Sequence, residues 1–220
     1  MCGRIAQAAA IRKTEQLLRI LKRFELPPRF NIAPSQPAAV VRSDAEGNLE
    51  WALPRWGLVP HWAKEPKTGY KMINAKAETV AEKPAYRGPF RHRRCIVPVD
   101  GFYEWKEEGK VKQPYFIHFR DQTPVFLAGL WDHWQGDGQD LETFTVLTTT
   151  ANKLLDFHDR MPVILTPEDV TTWLDPKIQS KAPLEHLLRP FSEGNMETYP
   201  VDRRVNKPSF DDPACVIPVH

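Results

Sequence analysis

The sequence predicts an α+β fold, a mainly antiparallel, curved or barrel-like sheet carrying a few peripheral helices. Three observations carry this. Strand-type segments follow one another with turn-rich joints between them, 21 Pro against 11 Gly interrupt long helical patterns, and helix periodicity or capping is confined to a few short stretches of the 220 residues. A helical bundle is therefore disfavoured.

Taken in order, Ile11, Leu17, Leu18, Leu21 and Phe24 recur at helical spacing among Arg12, Lys13, Arg19, Lys22 and Arg23. They predict one amphipathic helix over 10–24, ended by Pro27 and Pro28. Segments 38–42 and 49–53 flank a turn-rich 43–48, and 102–106 and 113–119 flank Glu107-Glu108-Gly109-Lys110, so each pair predicts a hairpin. Asn74 precedes the helix-like run 75–83, where Asn is ordinarily a cap. Further strands are predicted at 94–99, 125–131, 143–149 and 162–165. Thr166-Pro167-Glu168-Asp169 offers an N-cap, a first-position proline and acidic first-turn residues, predicting a short helix to Leu174 before Pro176. With no repeat, low-complexity tract or linker, one domain over 1–220 is expected.

Charge excludes little. Thirty Lys+Arg against 28 Asp+Glu leave +2, too mild to mark a nucleic-acid binder, so local clustering has to decide. No stretch approaches ~20 consecutive apolar residues and the N-terminus lacks a signal-peptide layout, so no membrane association and a cytoplasmic location are expected, nucleoid-associated in a bacterium. Three cysteines, at 2, 95 and 215, form neither an even disulfide framework nor a CxxC pair.

The chemistry-bearing residues begin at the start. Cys2 is small enough for Met1 to be removed, which leaves an α-amine and a thiol on adjacent carbons. With reference values near ~7.7–8.0 and ~8.5, both nucleophiles are partly available at neutral pH. Against an aldehyde, the amine forms an imine and the thiolate closes a five-membered thiazolidine; the bland alternative is an incidental second residue. Glu104 stands among apolar neighbours in Gly101-Phe102-Tyr103-Glu104-Trp105, either buried with a raised pKa as an acid/base or facing outward on an amphipathic strand. His158 lies beside Asp159 and two residues before Arg160, able to relay protons while Arg160 holds a phosphate, or forming a solvated turn. Tyr86 to Arg94 carries four Arg and a His interleaved with Tyr86 and Phe90, and Arg203, Arg204 and Lys207 form a second basic cluster. Cations with aromatics suit single-stranded nucleic acid. Trp62 could serve as a stacking platform or wedge, whereas core packing suits Trp56 better.

Read together, Met1-Cys2-Gly3-Arg4, Phe30-Asn31-Ile32-Ala33-Pro34, Trp56-Gly57-Leu58-Val59-Pro60, Ile73-Asn74-Ala75-Lys76, Gly101-Phe102-Tyr103-Glu104-Trp105 and His158-Asp159-Arg160-Met161-Pro162 resemble the SRAP family, the abasic-site processing proteins also described as SOS-response-associated peptidases. The resemblance runs nearly the full length. It implies a single SRAP-like domain, a monomer, that binds single-stranded DNA and single-strand/double-strand junctions and becomes covalently linked to abasic sites, with no metal and no cofactor. It further implies that Cys2 is the nucleophile, Asn74 helps position it, Glu104 acts as acid/base and His158 assists proton transfer in the Schiff-base steps and in slow reversal. Arg4, Asn31, Lys76 and Arg160 would line the DNA path, with Trp62 at the junction. Lys76 stands where relatives commonly carry Arg, and Lys meets phosphate as a point charge, not a fork. Ala63 stands where relatives carry a second aromatic.

A transient imine also permits β-elimination of the 3′ phosphate, so lyase activity would compete with ring closure. Rival readings remain. An N-terminal Cys opens the glutamine amidotransferases, whose start resembles Met-Cys-Gly-Ile where this chain has Arg4, and a DNA-binding module without chemistry would tolerate replacement of Cys2. Self-removal of Met1 is a third, although an ordinary aminopeptidase suffices.

Overall fold

The computed structural model describes residues 2–219. Along the chain run β1 (Ile5–Gln7), α1 (Ala10–Leu18), β2 (Arg29–Ile32), β3 (Val40–Ser43), β4 (Leu49–Ala52), β5 (Arg55–Trp56), β6 (Asn74–Lys76), α2 (Pro84–His92), β7 (Arg94–Val99), β8 (Gly101–Glu108), β9 (Val111–Phe119), β10 (Val125–Gly136), β11 (Gln139–Thr150), β12 (Arg160–Pro162), β13 (Ile164–Leu165), α3 (Pro167–Leu174) and β14 (Met196–Pro200), with short 3-10 turns between several of them. A five-stranded antiparallel sheet has the order β14-β9-β8-β1-β2, and a larger mixed sheet has the spine β12-β11-β10-β7-β3-β4. The short strands β5 and β6 join β11 in parallel. Neither sheet closes on itself, so the predicted α+β architecture is realised as two open sheets with peripheral helices.

The period-two alternation of strands explains how the layers stack. Ile5, Phe102 and Ile117 of the smaller sheet meet Val97, Leu127, Phe144 and Val146 of the larger one in a shared core that also takes in Cys2. The alternate residues of β7 and β10, such as Ile96, Phe126 and Leu130, face the other way and pack with Phe90 and Trp173 of the helices. On the far side of the smaller sheet, Tyr103 and Phe116 are covered by Val201, Val205 and Cys215 of the C-terminal segment. In β8, Phe102 therefore points inward and Tyr103 outward. Glu104, two residues past Phe102, shares the inward face.

The hairpins at β3–β4 and β8–β9 pair as the sequence predicts. The helix at 167–174 has a complete capping box between Thr166 and Asp169. Two expectations fail. The helix predicted over 10–24 stops at Leu18, where Arg19 takes a left-handed φ of 53°. Beyond it Leu21 is fully exposed, so the apolar repeat there has nothing to pack against. Phe24 instead stacks on Trp51. The run 75–83 is not a helix capped by Asn74: Asn74, Ala75 and Lys76 lie opposite Val146, Leu147 and Thr148 in a parallel ladder, and tertiary pairing overrides the local helical preference. The helix begins only after Lys83, and Pro89 sits inside it. No helix among the described residues is long and apolar enough to cross a membrane.

Candidate active site

The two sheets bring together residues far apart in sequence. Cys2 precedes β1 and is fully buried in the inter-sheet core. From β6 on the larger sheet, the Asn74 side-chain amide donates to the Cys2 carbonyl at 2.8 Å, while the Asn74 Oδ1 is buried without a hydrogen-bond partner among the described residues. From β8 on the smaller sheet, Glu104 reaches the same place and is 2% exposed. His158 enters at the mouth of β12, its Nε2 3.7 Å from the Glu104 carboxylate. Cys2, Asn74, Glu104 and His158, four predicted site residues, thus form one cluster, of which Glu104 and His158 line an open groove of about 710 Å³ whose walls include Trp105, Phe157, Lys106 and Asn206.

Burial sets the electrostatics. It pushes the Glu104 carboxyl above the ordinary carboxylate range, an effect that the neighbouring His158 opposes. It pushes the Cys2 thiol well up too, and the nearby Glu104 charge adds to that. The raised carboxyl of Glu104, beside a thiol and an imidazole, is chemically able to exchange a proton with either. The Nδ1 of His158 lies 2.9 Å from the Arg160 carbonyl and 3.0 Å from the Arg160 amide. Accepting from the amide leaves the proton on Nε2, toward Glu104; donating to the carbonyl does the reverse. The Arg160 backbone thus offers a partner to either tautomer, and the Asp159 carboxylate lies 3.4 Å from the same Nδ1.

The family model described as SOS response associated peptidase (SRAP) matches residues 1–208. The chain belongs to the SRAP family. It is 42% identical over 222 residues to the abasic site processing protein YoqW of Bacillus subtilis, covering 98% of this chain and 99% of that one. To the abasic site processing protein HMCES of Gallus gallus it is 32% identical over 265 residues, 100% of this chain and 78% of that one. A crystal structure of a protein from Bacteroides thetaiotaomicron superposes with a TM-score of 0.86 at 30% identity and complete coverage of both chains.

The remaining residues singled out in this SRAP chain fall into two groups. Arg4 and Asn31 are buried supports: Arg4 donates to Asn31 Oδ1 and to the Val205 carbonyl, each at 2.6 Å, and lies 5.7 Å from the Trp105 ring. Asn31 is fully buried and its amide donates to the carbonyls of Val205, Lys207 and Phe210. Both tie β1 and β2 to the C-terminal segment through buried hydrogen bonds. Lys76 and Trp62, by contrast, are exposed. Trp62 is 57% exposed, on a turn anchored by the His61 amide to Asp132 and by the Trp134 indole to the Ala63 carbonyl. Trp56 is buried and stacked on Phe144.

Arg160 is mostly buried and engages Glu78 through both terminal nitrogens, at 2.7 and 2.9 Å, and the Thr148 carbonyl at 2.6 Å. The sequence reading missed Glu78, whose only sequence signal is an acid two residues beyond Lys76. Nor is the basic run 86–94 a uniform cationic face: Arg94 is buried and donates to the carbonyls of Phe90, Trp173 and Asp175, tying α2 to α3. Met1, whose removal the sequence reading invokes, lies outside the described residues. Among the described residues no group of three or more His, Cys, Asp or Glu is placed to hold a metal.

Proposed function

We propose that this chain processes abasic sites in DNA by forming a covalent thiazolidine crosslink through Cys2. The observation that carries the reading is the meeting of Cys2, Asn74, Glu104 and His158 where the two sheets approach, a constellation assembled from four separate parts of the chain. The names of the relatives, abasic site processing proteins, supply the substrate class.

In this reading, removal of Met1 frees the Cys2 amine. The amine attacks C1′ of the ring-opened sugar aldehyde, and Glu104 gives the proton that lets the hydroxyl leave as water, producing an imine. The Cys2 sulfur then adds to C1′, its proton passing to the carboxylate or imidazole, and the ring nitrogen ends protonated. One aldehyde and one cysteine thus become one thiazolidine and one water. While the imine persists, loss of a C2′ proton can break the C3′–O bond and expel the 3′ phosphate, which is lyase chemistry at the same site. His158 returns a proton when the ring reopens. Single-stranded DNA, or a junction carrying the lesion, would run past Lys76 and Trp62, with Arg4 and Asn31 supporting the floor beneath.

The test is intact mass of the protein after incubation with an abasic single-stranded oligonucleotide. Parent protein should lack Met1 and gain the oligonucleotide less one water, surviving denaturation. Cys2→Ala should lose this adduct entirely while keeping weak, salt-sensitive binding to undamaged strands. A heat-stable adduct on Cys2→Ala, or none on the parent, overturns the mechanism.

A further inference from the structure

Glu78 stands between two cations. Its carboxylate takes both terminal nitrogens of Arg160, at 2.7 and 2.9 Å, and it also lies in the field of Lys76. The ladder explains the grouping: Lys76 lies opposite Thr148 on β11, Arg160 opposite Thr150, and the Arg160 guanidinium reaches back to the Thr148 carbonyl. Arg160 is thus held in place from two sides. Its side chain is 13% exposed, whereas that of Glu78 is 48% exposed.

A planar fork that already grips one carboxylate in bidentate fashion has little left to offer a phosphate. The Arg160 Nε is buried and has no hydrogen-bond partner among the described residues, so the two terminal nitrogens are the accessible donors, and Glu78 engages both. Thr148 keeps the guanidinium oriented without Glu78, and the half-exposed Glu78 can turn into solvent.

We propose that Glu78 is a specificity-determining residue, a built-in competitor for the place that a backbone phosphate takes between Lys76 and Arg160. It weakens the hold on undamaged strands, so that lasting retention depends on the covalent step at Cys2. This rests on the DNA-processing reading above. The bidentate contact keeps Glu78 ionised, its carboxyl being held below the usual range chiefly by Arg160, so the competition operates throughout the neutral range.

The experiment compares Cys2→Ala with Cys2→Ala/Glu78→Gln, so that no covalent step intervenes, by fluorescence anisotropy on a labelled undamaged single-stranded oligonucleotide over 25–300 mM salt. Gln keeps the shape and removes the charge. Glu78→Gln should tighten binding by roughly twofold to fivefold at low salt, as expected for release of one half-exposed bidentate pair, and should steepen the dependence on salt by up to about one phosphate contact. Adding Arg160→Gln should abolish that gain, which a general change in net charge would leave intact. Equal or weaker binding by the Glu78→Gln protein, with an unchanged melting temperature, assigns Glu78 to orienting Arg160 and overturns this proposal alone. If neither protein binds the oligonucleotide, the DNA reading falls and this proposal with it.

Discussion

Two carboxylates are equally buried, one on each sheet, and their surroundings differ. Asp132, on β10 of the larger sheet, is 2% exposed; the amides of His61 and His133 donate to it at 3.2 and 2.9 Å, and the Arg93 guanidinium forms an ion pair with it at 3.1 Å. Glu104, on β8 of the smaller sheet, is also 2% exposed but faces a thiol and an imidazole 3.7 Å away. Asp132 is provided with compensating charge and backbone amides, the ordinary condition for a buried acid that ties a loop in place. Glu104 has its carboxyl pushed above the ordinary carboxylate range by burial. Equal burial therefore does not give two carboxylates the same role, and the proposed acid/base role of Glu104 rests on its place beside Cys2 and His158.

Substitution by the isosteric amide should separate the two most sharply. Glu104→Gln should slow adduct formation by the ~10²–10⁴ typical of a lost general acid/base. Its effect on stability should have the opposite sign. A carboxyl whose folded pKa lies above its unfolded value near ~4.3 binds its proton more tightly when folded, so it costs stability as pH rises past the unfolded value, and the full cost is present above the folded one. The melting-temperature advantage of Glu104→Gln over the parent should be close to nil at pH 4 and widen toward pH 8. Asp132→Asn should do the reverse, losing about 1–3 kcal/mol in urea denaturation because Arg93 is left without its counter-charge, with the rate at saturating DNA retained. Similar rate losses in both variants would erase the distinction.

A smaller effect is expected at His158, which is more exposed than Glu104 and whose Nδ1 packs against the Arg160 backbone. His158→Ala should still crosslink, but release of a preformed adduct into excess aldehyde-bearing competitor should slow by roughly 10²-fold, since ring opening must reprotonate the departing thiolate. Release that is as fast as the parent's across pH 5 to 9 would assign His158 to structure.

How far the sequence foretold this comparison depends on the residue. The strand at 94–99 was legible because of its β-branched run ahead of Asp100-Gly101, and the helix at 167–174 because its cap is local. Glu104 was ambiguous, since a single strand does not say which face is covered; only the opposing sheet, with Phe102 pointing into it, settles the inward direction. The failed helix beyond Leu18 and the strand at Asn74–Lys76 share a cause. Their fate depends on partners more than 25 residues away, which periodicity within a short window cannot register. Glu78 was invisible for the same reason: 82 residues separate it from Arg160.

The smallest expected effect tests whether the two regions are as separate as their chemistry suggests. Asp132 fixes the turn that presents Trp62, and Trp62 itself is 57% exposed with no hydrogen bond from its own side chain among the described residues. Removing its ring should cost the fold little, within about 0.5 kcal/mol for an exposed site. Stacking of one base on one aromatic side chain is worth about 1–3 kcal/mol, so Trp62→Ala should weaken binding of single-stranded or junction DNA by several-fold or more, without altering the rate of ring closure at saturating DNA. Ala63 offers no second ring to compensate. The decisive comparison is between Trp62→Ala and Asp132→Asn in the same affinity assay. If Asp132 acts only by holding the turn, its variant should reproduce part of the Trp62 loss, and combining the two should add little to Trp62→Ala alone. Fully additive losses would mean that Asp132 contributes to DNA binding by some route other than the placement of Trp62.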